Sequence, residues 1–219
     1  LALSASTLFA QPKRVKEADR LFNNKEFYEA LDAYKKASEN IRGNKALKAE
    51  VTYKQALCYM AFKDTKKAEV WFAKAIKAKY QDPIAILFLA DMMRENAKYD
   101  EALAEYDKYV KLKPEDPRGT SGVESCKLSV KWKAAPTKHE VSNVQPLNSK
   151  FDDFSPIYSR KNFKEIIFTS SREGSTGSGT DGWTGEAFSD LYVAKLDKNG
   201  KWSTPTSFKE PLNSKYNDG

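Results

Sequence analysis

The sequence predicts a multidomain chain, α then β, in which an α-solenoid is followed by the first blade of a β-propeller. Three observations predict it. Residues 13–133 are rich in helix-forming Ala, Lys, Glu and Leu, whereas residues 141–219 are rich in Ser, Thr, Asn, Gly and aromatic residues, which favour strands and turns. One pattern recurs at a 34-residue spacing in the first region, and another recurs after 65 residues in the second. We expect a linker over residues 136–145.

The charge follows the same division. The 219 residues include 37 Lys+Arg and 30 Asp+Glu, a formal net charge of +7. Residues 136–219 hold 11 of each sign, so the whole basic excess lies in residues 1–135. Acidic residues interleave with these lysines, and the sequence shows no nucleic-acid-binding motif. We therefore interpret the excess as a solvated helix surface and expect no nucleic-acid partner.

Few side chains are available for catalysis or for metal binding. His139 is the single histidine, so a Ser-His-Asp triad would depend on it and a His-rich zinc site cannot form. The two cysteines, Cys58 and Cys126, cannot supply a four-cysteine zinc site. We therefore expect no catalytic residue, no metal and no cofactor. The cysteines lie far apart in the predicted array, so we expect buried free thiols rather than a disulfide.

The first ten residues indicate export. The segment from Leu1 to Ala10 carries no charge and is followed by a basic segment that begins at Lys13. It is too short to span a bilayer, which needs about 20 residues, and it fits the end of a signal-peptide h-region. We therefore assign residues 1–10 to a signal-peptide remnant. Leu8 occupies a position that prefers a small residue, and a mildly apolar N-terminus is the alternative.

Three segments of the first region share one pattern of small and aromatic residues. Small residues at two fixed positions let antiparallel helices cross closely, and the aromatic residue fills the space against the next pair. The second and third copies are 34 residues apart, but the first and second are 38 apart, so we place four extra residues within residues 41–45. The pattern residues are Ala18, Ala30 and Tyr34 in the first copy, Ala56, Ala68 and Phe72 in the second, and Ala90, Ala102 and Tyr106 in the third.

This pattern resembles the tetratricopeptide repeat (TPR). The resemblance implies three TPR repeats, over about residues 11–44, 49–82 and 83–116. An unrelated helical bundle is the alternative, but it would not need the 34-residue period. An amphipathic stretch from Ser121 to Trp132 is expected to be a capping helix that covers the last repeat and completes the unit at residue 135. Its apolar residues are Val123, Cys126, Leu128, Val130 and Trp132.

The TPR resemblance implies a concave groove lined by the first helix of each pair. A mixed apolar and charged groove suits an extended peptide or a helix from another protein. The Lys/Asn/Arg set with which some TPR proteins bind a C-terminal carboxylate is absent at these positions. The alternative is that individual residues pack against the capping helix. The nine expected partner-binding residues are Val15, Asp19, Phe22, Tyr53, Leu57, Met60, Leu87, Asp91 and Arg94.

Short alternating runs in the second region predict the four antiparallel strands of one blade. We place these strands at residues 155–159, 165–172, 190–196 and 201–204, with Asn199-Gly200 as the hairpin turn. The motif PLNSKFDD at 146–153 recurs as PLNSKYND at 211–218, with six of eight positions identical, so residues 146–219 would hold one blade and the start of the next. One sheet cannot bury both faces, so we expect a truncated propeller unless the blade packs on the helices.

The β region is similar to the PD40-type (WD40-like) propeller repeat. The similarity rests on Asn148-Ser149, Asp153, Ser155-Pro156, Ile167-Phe168, Ser170, Arg172, Asp190 to Val193, and Gly200-Lys-Trp202. The insertion over residues 173–187 departs from that repeat, and Trp183 within it is an expected partner contact. Asp152, Asp153 and Asp190 are candidates for catalysis or calcium binding. We interpret them instead as residues that hold turns and neighbouring blades through backbone N–H groups.

TPR repeats followed by PD40-type blades, behind an export signal, resemble the periplasmic TPR–PD40–OmpA-like proteins of Bacteroidota (PorE-like), which act in type IX secretion and gliding motility. The resemblance implies a non-catalytic periplasmic scaffold associated with the outer membrane. A PorP/SprF-like outer-membrane protein or another secretion component would be the partner. Peptidoglycan would be bound only through a C-terminal OmpA-like domain that is not in this sequence. The alternatives are a propeller enzyme (hydrolase or lyase) with a TPR adaptor, and a cytosolic TPR adaptor.

Overall fold

The computed structural model describes residues 13–219. The expected signal-peptide remnant at residues 1–10 therefore lies outside the described residues. The chain divides into two compact units between Thr137 and Lys138, within the residues where composition placed the linker. Across the described residues, the first unit contains seven helices and the second contains four strands. Within residues 13–219, every helix is too short or too polar to span a bilayer.

The helical unit is an array in which each helix packs on the next. Contacts join every consecutive pair of helices, and the last helix also contacts the fifth. Within each pair the connection is only three residues long (24–26, 62–64 and 96–98), and such short connections make neighbouring helices antiparallel. The helices are α1 (Lys13–Asn23), α2 (Phe27–Ser38), α3 (Lys45–Ala61), α4 (Thr65–Lys77), α5 (Ile84–Glu95), α6 (Tyr99–Leu112) and α7 (Pro117–Ala134).

The turn inside each helix pair has the same backbone geometry. Lys25, Lys63 and Ala97 occupy equivalent repeat positions and have φ values of 67°, 61° and 60°. In the first turn, the Lys25 and Glu26 N–H groups donate back to the last turn of α1, each at 3.0 Å, and the other two turns repeat both bonds. This is the Schellman motif, in which a left-handed residue satisfies the last carbonyls of a helix. It reverses the chain at the same point in all three pairs.

The small and aromatic residues of the repeat form the core, as the pattern predicts. All six alanines of the helix crossings, and the aromatic residue of each repeat, have no exposed surface. A Cβ atom at such a crossing occupies little space, so the two helix axes approach closely. The fully buried set is Ala18, Ala30, Tyr34, Ala56, Ala68, Phe72, Ala90, Ala102 and Tyr106.

The four extra residues of the second repeat lie in helix α3, so their prediction within residues 41–45 was wrong. The connectors before α3 (39–44) and before α5 (78–83) have equal lengths. Helix α3 is five residues longer than α5 and α4 is one residue longer than α2, so the net four extra residues add about one turn at the start of α3, from Lys45. The reason is a local cap: the Asn44 side chain accepts a hydrogen bond from the Leu47 N–H at 2.9 Å and starts the helix there.

Helix α7 packs on the last pair, but only through its first half. Gly119, Gly122 and Cys126 are its buried residues. Ideal Cβ positions at Gly119 and Gly122 would meet Tyr109 and Tyr106, so α7 runs antiparallel to α6. Since α6 begins at Tyr99, this pairing leaves the end of α7 with no α6 residue opposite it. Three apolar residues in the second half of α7 are accordingly exposed: Leu128 (43%), Val130 (45%) and Trp132 (66%).

The second unit contains a four-stranded antiparallel meander in the order β1-β2-β3-β4. Its core contains Leu147, Phe168, Tyr192 and Ala194. The first three strands lie close to their predicted positions. The strands are β1 (Asp153–Tyr158), β2 (Glu165–Ser170), β3 (Asp190–Lys195) and β4 (Thr206–Ser207).

The fourth strand was predicted too early. Trp202 forms a single bridge with Leu196, and β4 pairs with Tyr192 and Val193 only from Thr206 onward. Pro205 lies between these two stretches and has no N–H to donate to the ladder. The chain therefore returns along β3 in two separate contacts rather than in one continuous strand.

Candidate functional site

The nine residues expected to line the groove are unequally accessible. Val15, Tyr53 and Leu87 are 1%, 8% and 1% exposed, so the expectation that they are exposed was wrong. Each is at the same repeat position and packs into the core beneath the first helix of its pair. The other six keep partial exposure: Asp19, Phe22, Leu57, Met60, Asp91 and Arg94. Partner binding at these residues remains a prediction.

Two of the expected groove residues are held by the array itself. The Tyr34 hydroxyl donates to Asp19 Oδ1 at 2.6 Å, and Lys54 Nζ reaches the same oxygen at 2.6 Å. In the third repeat the Tyr106 hydroxyl donates to Asp91 Oδ1 at 2.5 Å. Burial, and then the hydrogen bond to the carboxylate, raise the pKa of Tyr34 and of Tyr106, so both hydroxyls stay protonated.

The second repeat replaces this polar pair with an apolar one. Leu57 occupies the position of Asp19 and Asp91, and Phe72 occupies the position of the two tyrosines. Leu57, like Phe22 and Met60, is partly buried and packs against the core. The accessible surface of the first helices therefore has an apolar centre, with a carboxylate held by tyrosine in the repeat on each side.

Arg172 organises the second unit. Its guanidinium donates to Asp153 Oδ1 at 2.5 Å and to the Leu147 carbonyl at 2.7 Å, and it lies over the rings of Phe168 and Tyr192 at 5.1 and 5.0 Å. Its side chain is 16% exposed, and that of Asp153 is 11% exposed. The ion pair joins the start of β1 to the residues after β2, and the bond to Leu147 holds the segment before β1. A planar guanidinium can make both contacts and stack on the two rings.

The three aspartates singled out by sequence are not gathered into one site. Asp153 is paired with Arg172, whereas Asp190 Oδ2 accepts hydrogen bonds from the Thr176 N–H and hydroxyl at 2.9 and 2.8 Å. Burial, and then the charges of Glu186 and Asp153, raise the pKa of Asp152. Over residues 13–219, no group of three or more His, Cys, Asp or Glu side chains could hold a metal ion.

The two copies of the repeated motif form the same loop. Asp153 accepts from the Ser149 N–H at 2.5 Å, and Asp218 accepts from the Ser214 N–H at 2.5 Å. In the second copy Asn213 is fully buried and joins the last two strands. It donates to the Leu191 and Phe208 carbonyls, and it accepts from the Leu191 N–H at 2.9 Å. The second copy is thus attached to the sheet that precedes it.

Trp183 lies on a turn inside the insertion and is 44% exposed. Asp181 Oδ1 accepts from the backbone N–H groups of Trp183 and Thr184 at 2.9 and 3.0 Å and so shapes this turn. A bridge between Thr180 and Ala187 closes it. The indole is held on an ordered turn, and its role as a partner contact stays a prediction.

Both cysteines are buried free thiols, as expected. Burial raises the pKa of the Cys58 thiol to about 12 and also raises the pKa of Cys126. The thiolate is the reactive form of cysteine, so neither residue is suited to act as a nucleophile near neutral pH.

The chain was also compared with known proteins. No protein-family model matches the chain, and no curated protein matches it. Among solved structures, the chain is similar to the C-terminal TPR-containing domain of a protein from Plasmodium falciparum that is described as FK506-binding. That match has a TM-score of 0.48 and 22% identity, and it covers 56% of this chain and 89% of the other.

The class of the protein follows from its own geometry. Three antiparallel helix pairs repeat at a 34-residue spacing, apart from the added turn of α3, with alanine at every crossing and a left-handed residue in every turn. The first unit is therefore a TPR-like helical solenoid with a seventh helix on its last pair. A small antiparallel sheet follows it in the chain.

Proposed function

We propose that this protein is a non-catalytic adaptor that binds other proteins through the TPR-like unit. The observation that carries the proposal is the row of partly exposed side chains on the first helices. Phe22, Leu57 and Met60 present apolar surface, and Asp19, Asp91 and Arg94 add charge. A groove of this composition suits an extended segment or a helix of a partner.

A more specific role extends this proposal. The order of TPR-like repeats and PD40-like sequence, behind an uncharged N-terminal segment, supports a periplasmic scaffold at the outer membrane. There it would connect a component of type IX secretion or gliding, such as a PorP/SprF-like protein, to the cell wall. Peptidoglycan attachment would belong to a C-terminal domain outside this sequence. A propeller enzyme and a cytosolic adaptor are the competing roles.

The β unit is proposed as a blade of a propeller whose loops also contact partners. The repeated motif supports this, because its second copy is bonded to the sheet of the first through Asn213. Each blade of a propeller could be joined to the next in this way. Trp183, on its ordered turn, is the residue of this unit that we propose as a partner contact.

Site-specific photo-crosslinking in native cells tests the adaptor role. A photoreactive amino acid at Met60, on a first helix, should link the protein to a discrete partner, identified by mass spectrometry. The same group at Lys111, exposed on a second helix, is the matched control. Equal crosslinking from both positions would contradict a groove on the first helices. Fractionation and N-terminal sequencing of the native protein distinguish the periplasmic role from the cytosolic one.

A further inference from the structure

A cavity of about 570 Å³ lies at the ends of α2, α3 and α4, and none of the nine groove residues lines it. Half of its ten lining residues are lysines, and none of them is acidic. We call it the lysine cavity and define it by Lys45, Lys48, Lys74, Lys77 and Lys79, with Gln55 and Trp71.

The lysine cavity exists because the second repeat carries polar residues where the third carries apolar ones. Thr52 and Gln55 line the cavity, and the residues 34 positions later are Ile86 and Leu89. Leu89 is 5% exposed and packs in the core. Gln55 is 1% exposed, and its Nε2 finds no hydrogen-bond partner within residues 13–219. A buried donor without an acceptor is destabilising, which points to a ligand with an acceptor oxygen.

The added turn of α3 supplies the second part of the cavity. Lys45 and Lys48 lie in this turn, at the positive end of the helix dipole, and the first turn of α3 has no acidic residue. Cations at a helix N-terminus are unfavourable for the helix itself, so helix stability does not account for these two lysines. Together with the helix N-terminus, they create a positive potential at the cavity mouth.

Helix α4 supplies the opposite wall. Lys74 and Lys77 lie in its last turn, and Lys79 follows it. Lys74 Nζ lies 4.3 Å from the centroid of the Trp71 ring. None of the five lysines forms an ion pair with a carboxylate in the part of the chain that the structure describes. The cavity therefore combines uncompensated positive charge, an apolar indole wall and one unsatisfied N–H donor.

We propose that the lysine cavity binds an acidic segment of a partner protein, with an Asp or Glu carboxylate accepting a hydrogen bond from Gln55 Nε2. We choose an acidic peptide as the ligand because its charge is complementary to the cavity: several carboxylates can neutralise lysines on both walls. An apolar side chain of the same peptide packs on Trp71. A nucleic acid fits less well, because its phosphates need an extended basic track. This inference rests on the adaptor role and adds a second binding site to it.

Fluorescence anisotropy with a labelled octapeptide of glutamate and leucine, on the full chain, tests the proposal. The charge-reversal variant K48E/K74E should lose at least tenfold in affinity. Its matched control is K66E/K111E, which makes the same change of charge at exposed lysines in the first turn of α4 and the last turn of α6. Gln55→Leu keeps the charge and copies the third repeat, and it should weaken binding about tenfold or more.

Three results would overturn the inference. One is equal loss of affinity in the two double variants, which would indicate diffuse charge. Another is unchanged affinity in Gln55→Leu, with its fold verified by circular dichroism. A third is tighter binding of a single-stranded oligonucleotide of equal charge that depends on the same lysines. If the lysine-cavity variants lose nothing while Met60 still crosslinks a partner, this site is refuted and the adaptor role stands.

Discussion

The hydroxyl of Tyr34 donates to the carboxylate of Asp19 at 2.6 Å, and the same pair recurs 72 positions later as Tyr106 and Asp91, at 2.5 Å. Between them, the second repeat has Phe72 and Leu57 at these positions. Hydroxyl and carboxylate thus occur together or are both absent. A buried hydroxyl with no acceptor costs about 1–3 kcal/mol, whereas replacing both partners by apolar groups can be nearly neutral.

A double-mutant cycle should detect this coupling. Tyr106→Phe and Asp91→Leu should each lower the free energy of unfolding by about 1 kcal/mol. The first removes a donor from Asp91 and an acceptor from Arg94, and the second leaves the buried Tyr106 hydroxyl without its acceptor. The double variant, which copies the second repeat, should lose less than the sum of the two. Urea unfolding followed by helical circular dichroism gives the three values. Additive losses would show that the pair is not coupled.

Ala97→Gly should stabilise the helical unit by about 1 kcal/mol. Ala97 holds φ at 60° in the turn between α5 and α6, and a left-handed conformation costs a residue with a Cβ about 1–2 kcal/mol. Ala73→Gly, at an exposed position inside α4, is the control and should destabilise by about 1 kcal/mol. Thermal unfolding compares the two. A lower melting temperature for Ala97→Gly would contradict the assigned turn geometry.

Gly122→Ala should destabilise the packing of α7 on α6. A Cβ at this position would lie 2.2 to 2.5 Å from three atoms of the fully buried Tyr106 ring. Overpacking of this kind costs about 1–3 kcal/mol and outweighs the gain in helix propensity, about 1 kcal/mol. Ser121→Ala, at the exposed neighbouring position, should be neutral or slightly stabilising. Chemical unfolding of both variants measures the difference, and equal stability would refute the close approach.

Asp153 and Asp152 should give the second unit opposite pH dependences. Burial opposes ionisation of Asp153, but hydrogen bonds from Ser170, Arg172 and Ser149 outweigh it and lower its pKa. Its contribution to stability is therefore complete above the unfolded-state pKa of about 3.9 and is lost as the pH falls through the lower folded-state pKa. The raised pKa of Asp152 has the reverse effect, since stability falls as the pH rises through it.

Asparagine variants distinguish the contributions of Asp153 and Asp152 to stability. Asp153→Asn should destabilise the sheet at neutral pH and flatten the loss of stability in acid, because the ionised partner of Arg172 is gone. Asp152→Asn should stabilise it at neutral pH by removing repulsion from Glu186 and Asp153. Hydrogen exchange of the β1 and β2 amides, measured across the acid range, gives the stability of the sheet in both variants. If the stability of wild type and of Asp153→Asn depended on pH in the same way in acid, the lowered pKa of Asp153 would be contradicted.

The repeat architecture was determined by the sequence alone. The spacing of Ala68 and Ala102, with aromatic residues four positions after each, predicted the helix pairs and their buried crossings. Helical periodicity and side-chain size are local properties, so they can be read from the chain without coordinates. The burial of the two cysteines and the positions of the first three strands could also be predicted, because they too depend on residue type and local periodicity.

Accessibility and the lysine cavity were decided by tertiary structure. Periodicity assigned Val15, Tyr53 and Leu87 to a helix face, but only the packing of neighbouring helices showed that this part of the face is buried. The environment of Gln55 depends on side chains that three consecutive helices, α2, α3 and α4, bring together. Which groups meet across helices is a property of packing, and no spacing within one segment specifies it.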